Sequence, residues 1–474
     1  MRRGVQMSVF LFAMFVHTSF GASLPSPNDV LNQTGASFPK TWGSNDGKAV
    51  PAYYEMAKSV LRDSAAREEL IKGLRALPSI ALTIANNDLF GPEKGIYANP
   101  KQSGSEWERP AEIQYFSTSG REEFRIGCGV RIQGGWNRRP EESPKHAFRL
   151  VFKKKYGAGK LRYALFDGAE PKPFDELILR AGCNNTWLHW SGEERARGDY
   201  IRDQWMRDSY RAMGHPSARG EFVHLYLNGL YWGVYNLTER PDANFASAHF
   251  GGRADEYEAR NGEHILEGNT REWDRLFSLA NAGVGPQQYA EIGEILDLPA
   301  FADYMLLNFY GGNGDWDRAS NWYAARRRPS GKFHFFVWDG ERTLEGVDAN
   351  TISFDDDQSP PRLFQKLRQN PEFKKLFQER AQLHLTGNGA LTPQAATHRY
   401  EVWSTKLQLP ILAESARWGA YRHDIHQYRT GPYEIYTRDQ FWTPEIHRLL
   451  TQYFPQRTAI MLKQCEETCA PIEK

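Results

Sequence analysis

The strongest constraint on the fold is a change of pattern near the middle of the chain. From about residue 78 to 240, short runs rich in β-branched and aromatic residues follow one another: SIALTIA, AEIQYF, CGVRIQGG, HAFRLVF, ELILRAG and FVHLYLNGLYWGVYNL. Runs of this length and make-up, punctuated by turn residues, read as strands. In the last of them Asn228-Gly229 joins VHLYL to YWGVYNL, and that dipeptide is the strongest short signal for a hairpin. A helix interrupts the strands, roughly Tyr200 to Met213, and stops at Gly214 with Pro216 just beyond. Past residue 240 helical patterns take over. Asp297 can cap a helix whose Leu298, Phe301, Met305 and Phe309 share one face. FHFFVW adds a strand, and after 360 the chain reads as largely helical. The expected class is α+β, with a β-rich part over 77–240 and a mainly helical part over 241–474.

Upstream of the strands the expectations are looser. Residues 22–50 are rich in Pro, Asn, Gly and Ser and read as a flexible leader, while 52–76 lack a helix breaker and read as a helix. Arg2 and Arg3 precede the apolar run Val9 to Val16, and Ser19 and Gly21 supply small residues for a peptidase. That run is short of the ~20 residues of a spanning helix, which favours a cleaved export signal over 1–21 rather than a membrane anchor. The mature protein is then expected to be secreted or held in the cell envelope, and not to be an integral membrane protein. Four cysteines suit an oxidising compartment, with 128–183 and 465–469 as the economical pairing among three. A net charge of +1 gives no electrostatic case for a nucleic-acid partner.

The residues that suggest chemistry lie in GNGDWDRASNWYAARRRPSGKFHFFVWDGE. Asp315 and Asp317 are followed by Asn321, then by Asp339 at the end of an apolar strand. A carboxylate, an amide a few residues on, and a strand ending in Asp are spaced as a phosphotransferase spaces its base and its metal ligands. One carboxylate would orient the attacking hydroxyl, and the amide and later carboxylate would hold divalent cations. Which of Asp315 and Asp317 is the base stays open. Turn-capping, or a structural Ca²⁺, is the plainer reading of the same acids. Upstream, Gly134-Gly135 makes a turn before the strand that begins near Lys145, so the glycines could cover phosphates that Lys145 neutralises. Glu239 and Arg240 end the last long strand, where a base could dock on a connecting segment, or where they could simply pair with each other. Glu341 could share the metal site or pair with Arg342. Trp187, Trp190 and Trp205 read as core.

Several segments together resemble the CotH family of spore-coat kinases: LFGPEKGIYANP, RIQGGWNRRPEESPKHAFRLVFKKKYG, YIRDQWMRDSYRAMG, LYLNGLYWGVYNLTERPDANF, GNGDWDRASNWYAAR and FVWDGERTL. The resemblance implies a two-lobed, atypical protein-kinase-like fold. It also implies ATP- and Mg²⁺-dependent (or Mn²⁺-dependent) transfer onto Ser or Thr hydroxyls of secreted or coat proteins. Position by position, it sets Lys145 toward the phosphates, Asp339 and Asn321 on the metal, and the base at Asp315 or Asp317. Because some members of the family are surface adhesins, a non-catalytic surface or coat protein with a structural cation is the rival expectation. A glycoside hydrolase would give no reason for Asn321 or Lys145.

Signal cleavage after Gly21 makes one checkable statement. N-terminal sequencing of exported protein should begin at Ala22, and a chain that still begins at Met1 would exclude it.

Overall fold

The computed structural model describes residues 24–61, 64–166, 173–316, 320–425 and 433–469. Among these described residues there are thirteen strands. In chain order they are β1 (Thr41–Asn45), β2 (Lys48–Pro51), β3 (Ser79–Ile84), β4 (Arg109–Phe116), β5 (Glu122–Gln133), β6 (Ala147–Val151) and β7 (Glu176–Arg180). Then follow β8 (Gly220–Leu227), β9 (Leu230–Thr238), β10 (Tyr257–Asn261), β11 (His264–Glu267), β12 (Trp322–Arg327) and β13 (His334–Val337).

Strands β3 to β9 close into a barrel in the order β3-β4-β5-β6-β7-β9-β8. All its neighbours are antiparallel except β3 and β8, whose parallel pairing completes the ring. The Asn228-Gly229 turn makes that closure specific. Both residues take the left-handed conformation such a turn needs. The Asn228 amide then bonds the N–H and C=O of Ile84, each at 2.8 Å, and so ties the β8–β9 hairpin to the end of β3. Strand alternation fills the interior with Cys128, Val130, Phe148, Leu150, Leu177, Leu179, Val223, Leu225 and Trp232. Arg131, Arg149 and Ile178, in register across β5, β6 and β7, therefore face outward.

A second sheet, ordered β11-β10-β12-β13, packs against that outer face. Ile178 joins Tyr257, Tyr323, Phe336, Trp338 and the helix Ala243–Phe250 in one buried cluster. Of these four strands only FHFFVW is evident in the sequence. YEARN and WYAARR mix charge with apolar residues and carry no clean alternation, because Glu258 and Arg326 are themselves buried in this layer. The helical core centres on Leu298–Gly311, capped by Asp297 through the Ala300 N–H at 3.0 Å and ended by Gly312 in the left-handed conformation. Trp187 and Trp205 are core residues, whereas Trp190 is exposed. Among the described residues no helix is long and apolar enough to cross a membrane.

Three sequence expectations change here. The leader is not loose: it carries the β1–β2 hairpin, and Trp42 and Val50 pack with the barrel residues. Among the described residues of 52–76 the helix is confined to Ser64–Gly73, because the stretch before it is laid against the C-terminal part, with the Ala57 N–H bonded to the Ala416 carbonyl at 2.6 Å. Cys128 and Cys183 are both free thiols, since Cys128 points into the barrel while Cys183 lies beyond β7. The side chain of Cys469 falls outside the described residues, so the 465–469 pairing does too.

An irregularity in β9 locks the barrel to the helical part. The β8–β9 register slips between Leu225 and Tyr226, so Trp232 is an extra residue, and Gly233 takes a φ of +119°. The slip turns Val234's peptide groups to a buried ion pair. Lys145 Nζ donates to the Val234 carbonyl at 2.7 Å and to Glu414 Oε1 at 2.7 Å, and the Val234 N–H donates to Glu414 Oε2 at 2.8 Å. Replacing Glu414 by Leu strands a buried ammonium and should cost about 3–5 kcal/mol in urea unfolding. Pairing it with Lys145→Met should recover only part of that loss, because both Val234 groups lose their partners at about 1–3 kcal/mol each. A double variant as stable as the parent would refute this account.

Candidate functional site

The hairpin β12–β13 does most of the positioning. Trp322 pairs with Val337, so Asn321 and Asp339 leave the sheet at the same end of adjacent strands. Both hold a left-handed backbone, φ +66° and +59°. That bend takes each side chain out of the alternation that buries Trp322 and Val337. The Asp315 loop is tied to the same edge twice. Asn321 Nδ2 donates to the Asp315 carbonyl at 2.5 Å, and the Gly314 N–H donates to the Arg342 carbonyl at 3.0 Å. Asp315, Asn321 and Asp339 are thus brought together, while Asp317 lies outside the described residues.

Arg180, the last residue of β7, is the hub of the charge network. Its guanidinium bonds the Asp339 carboxylate, reaches Glu341 Oε1 at 2.7 Å and approaches Asp203 Oδ2 at 3.2 Å, with its cation over the Trp338 ring. Asp203 is further served by Arg207 and by the Gly340 N–H at 2.9 Å. Burial would raise the Asp203 pKa, but Arg180 and Arg207 outweigh it and hold this carboxyl below its usual range. Glu341 goes the other way. Burial, with Asp339 and Asp203 nearby, pushes its carboxyl up to about 7 in spite of Arg180. Its second oxygen accepts the N–H groups of Cys183 and Asn184, at 3.0 and 2.9 Å. Glu341 therefore does not pair with Arg342, which reaches Glu345 and Glu194 instead. Asp339 keeps 38% of its side chain open to solvent.

The other residues singled out in the sequence lie apart from this cluster. Lys145 is 1% exposed, with its ammonium held by Glu414 and the Val234 carbonyl and lying over the Tyr235 ring at 4.7 Å. Burial pulls its pKa down while Glu414 opposes the shift. Gly134 and Gly135 form the turn after β5, with Gly134 at φ +110° and its carbonyl taken by the Arg138 guanidinium. Burial raises the Cys183 thiol, and the charges of Glu341, Asp339, Glu142 in this same loop and Glu194 raise it further. Glu239 and Arg240 line a cavity of about 290 Å³ with Phe174, Glu176 and Phe245. Glu239 accepts the Arg219 N–H at 2.9 Å, and burial raises its pKa. Arg240 bonds Glu176 at 3.1 Å and the Tyr323 hydroxyl at 3.3 Å. Tyr323 stacks edge-on against Trp338, so the ring that Arg240 bonds also packs on the ring beneath the Arg180 cation.

Sequence reasoning missed Arg180, Asp203 and Asn185. The last, at φ +50°, donates to the Glu341 carbonyl at 2.8 Å. Signals were present: an arginine ending the apolar run LILR, and Asn-Asn in the loop that follows that strand, where left-handed residues cluster.

Among the described residues no group of three or more His, Cys, Asp or Glu side chains is arranged to hold a metal ion. A family model described as CotH kinase protein matches residues 130–451. No curated protein sequence matches the chain. Among solved structures, the crystal structure of a Helicobacter pylori proinflammatory kinase, CtkA, is similar at 9% identity and a TM-score of 0.24, covering 76% of this chain and 92% of that one.

The left-handed backbone at Asn321 can be tested. Alanine and glycine both delete the amide that holds Asp315, but only alanine adds a Cβ that resists φ +66°. Asn321→Gly should therefore be more stable than Asn321→Ala by about 1 kcal/mol in urea titration. The reverse order would rule out this geometry at the hairpin end.

Proposed function

Since the chain belongs to the CotH kinase family, we propose that it is an exported protein kinase of two lobes, passing phosphate from ATP to Ser or Thr hydroxyls of secreted or surface proteins. The observation that supports this most is the pairing of Trp322 with Val337, which delivers an amide and a half-open carboxylate to the loop that carries Asp315. The barrel and the helical part are read as the two lobes. The strand end at Glu239 and Arg240 is read as the connection between them, with the adjoining 290 Å³ cavity for the base.

The donor set fits a divalent cation that keeps most of its coordination for water and phosphate. Mg²⁺ is commonly bound by one or two protein oxygens plus substrate phosphates. Asp339 offers a carboxylate with one oxygen on Arg180, and Asn321 offers its amide oxygen while its NH₂ is engaged with Asp315. Negative charge is also in excess here, since three carboxylates converge on Arg180 and Glu341 is raised to about 7. When bound, the cation would offset charge on the transferring phosphoryl group. The chain's own share is positional. Asp315, fixed through its carbonyl by Asn321 and through its N–H by Asn313 at 3.1 Å, would accept the proton of the acceptor hydroxyl. Asp317 remains the other candidate for that role. Arg180 would keep Asp339 and Glu341 in place before nucleotide arrives.

That same Arg180–Asp339 contact is what favours a second reading, in which the cluster is purely structural and the protein is a non-catalytic surface or coat protein. The two readings separate on Asp339→Asn. With Mg²⁺ and ATP, the parent should autophosphorylate and label a Ser-rich acceptor. Asp339→Asn should lose turnover by roughly 10²-fold or more, the scale of removing one well-placed electrostatic partner. Its unfolding temperature without ligand should stay near that of the parent. Asp315→Asn and Asp317→Asn should differ sharply, and the more damaged one marks the base. Equal turnover in Asp339→Asn and parent would favour the structural reading.

A further inference from the structure

The buried position of Lys145 leaves the outer face of the barrel without the lysine expected to meet phosphate. It does not leave that face without positive charge. Arg131 on β5 lies directly opposite Arg149 on β6, and alternation turns both outward. Like charges directly opposite on neighbouring strands oppose sheet formation unless something between them compensates. Arg149 is compensated by Glu176, with Nε to Oε2 at 2.8 Å. Arg131 is not. Among the described residues no carboxylate, carbonyl or hydroxyl lies within hydrogen-bonding distance of its guanidinium, although the residue is half-buried.

The surroundings add to the imbalance. Arg138, at the Gly134-Gly135 turn, is held only by carbonyls, those of Pro100 at 3.0 Å and Gln102 at 2.7 Å among them, so its charge is solvated but not neutralised. Arg240 draws on the same Glu176 at 3.1 Å. The nearby Glu108 is already taken by Lys153 and Lys155, at 3.0 and 3.2 Å. Burial and the Arg149 charge lower the Arg131 pKa against the opposing charges of Glu176 and Glu108, and burial, aided by the Arg131 charge, lowers that of Arg138 to about 10. The strand register sets this positive face beside both halves of the site. Along β7, Ile178 opposite Arg149 is followed two residues later by Arg180, the partner of Asp339, and preceded by Glu176 at the 290 Å³ cavity.

We propose that Arg131, seconded by Arg149, is the anion subsite that receives the polyphosphate of the nucleotide on the outer face of the barrel, beneath the Gly134-Gly135 turn. The proposal rests on the kinase reading for the identity of the ligand, but the subsite itself is defined by its chemistry, a linear polyphosphate. A guanidinium with no internal partner is free to take a phosphate bidentately. Ile178, opposite Arg149, is covered by the second sheet, and Arg180 two residues beyond it stands at the Gly134-Gly135 end of the barrel beside the carboxylates of the site. Lys145 then has a structural role, and Arg131 has the role expected of it.

Arg131→Gln is the informative variant, because Arg131 supports no other side chain and its loss should leave the unfolding temperature unchanged or slightly raised. Binding to the full chain would be measured calorimetrically for ATP, adenosine, inorganic tripolyphosphate and a phosphoserine peptide, each against parent and Arg131→Gln. Arg131→Gln should weaken ATP and tripolyphosphate by roughly 10-fold or more, as expected for a lost charge-assisted contact, and leave adenosine unchanged. Arg131→Lys should recover part of the loss. Tripolyphosphate binding that depends on Arg131 in a parent that binds no ATP would keep the subsite and remove the kinase reading. Undiminished ATP and tripolyphosphate affinity in Arg131→Gln would overturn the proposal, as would dependence on Arg131 for the phosphoserine peptide alone, or absence of polyphosphate binding to the parent.

Discussion

The slipped register at Trp232–Gly233 is the constraint on which most of this structure depends. A closed barrel satisfies its backbone within the ring, and a bulge breaks that closure by leaving peptide groups without a strand partner. Here the opened groups are filled from one short C-terminal segment. Glu414 takes the Val234 N–H, Arg417 donates to the Tyr231 carbonyl at 3.1 Å, and Trp418 donates to the Trp232 carbonyl at 2.6 Å. Gly233 has to be glycine for the segment to approach, because a Cβ there would lie 2.5 Å from Glu414 Oε2, and its φ of +119° is unfavourable for any other residue. Lys145 completes the set from the opposite side. A buried ion pair alone is weak support for a fold. This one is stronger because each charge also meets a peptide group that would otherwise stay unsatisfied.

Beyond that anchor, the end of β7 carries the charge network. Arg180, Asp203, Asp339 and Glu341 converge where the last turn of β7, the helix Arg202–Ala212 and the β13 edge meet. Their balance is unequal. Asp203 has two arginines and a backbone N–H, whereas Glu341 shares one arginine with two other acids and stays raised to about 7. Of the three, Asp339 is the one open to solvent, so it is the carboxylate that an incoming cation or phosphate would meet first.

How much of this could be read from the residues depends on how local each determinant is. The seven barrel strands and the Asn228-Gly229 turn were legible because alternation and turn chemistry are local properties. The same holds for the helix capped by Asp297. Three residues of the candidate site, Asp315, Asn321 and Asp339, were legible as an ordered spacing. Their convergence depends on the pairing of Trp322 with Val337, and β12 was hidden by the charge in WYAARR. The leader was misread because its anchoring comes from partners hundreds of residues away, as with Trp42 against Trp418 at 6.5 Å between ring centroids. Arg180 left a faint sign, a charged residue closing an apolar run. No local pattern could have shown that Glu414 faces Lys145, a contact across 269 positions.

Lys145 also shows why a conspicuous lysine near a glycine turn is an incomplete guide to where phosphate binds. In a strand of a closed barrel, parity decides the environment: Phe148 and Leu150 point into a packed interior, and Arg149 between them points out. Lys145 precedes β6, is released from that parity, and turns inward to meet Glu414 and the freed Val234 carbonyl. A packed interior of this size has no room for a nucleotide, so any phosphate must meet the barrel on outward-facing positions or at its rim. The outward positions on β5 and β6 that carry positive charge at the Gly134-Gly135 end are Arg131 and Arg149, while Arg125 lies at the far end of β5 on Glu122. The first has no internal partner among the described residues, and the second is already balanced by Glu176. The division between a lysine that holds the barrel shut and arginines that face outward thus follows from strand parity and one bulge.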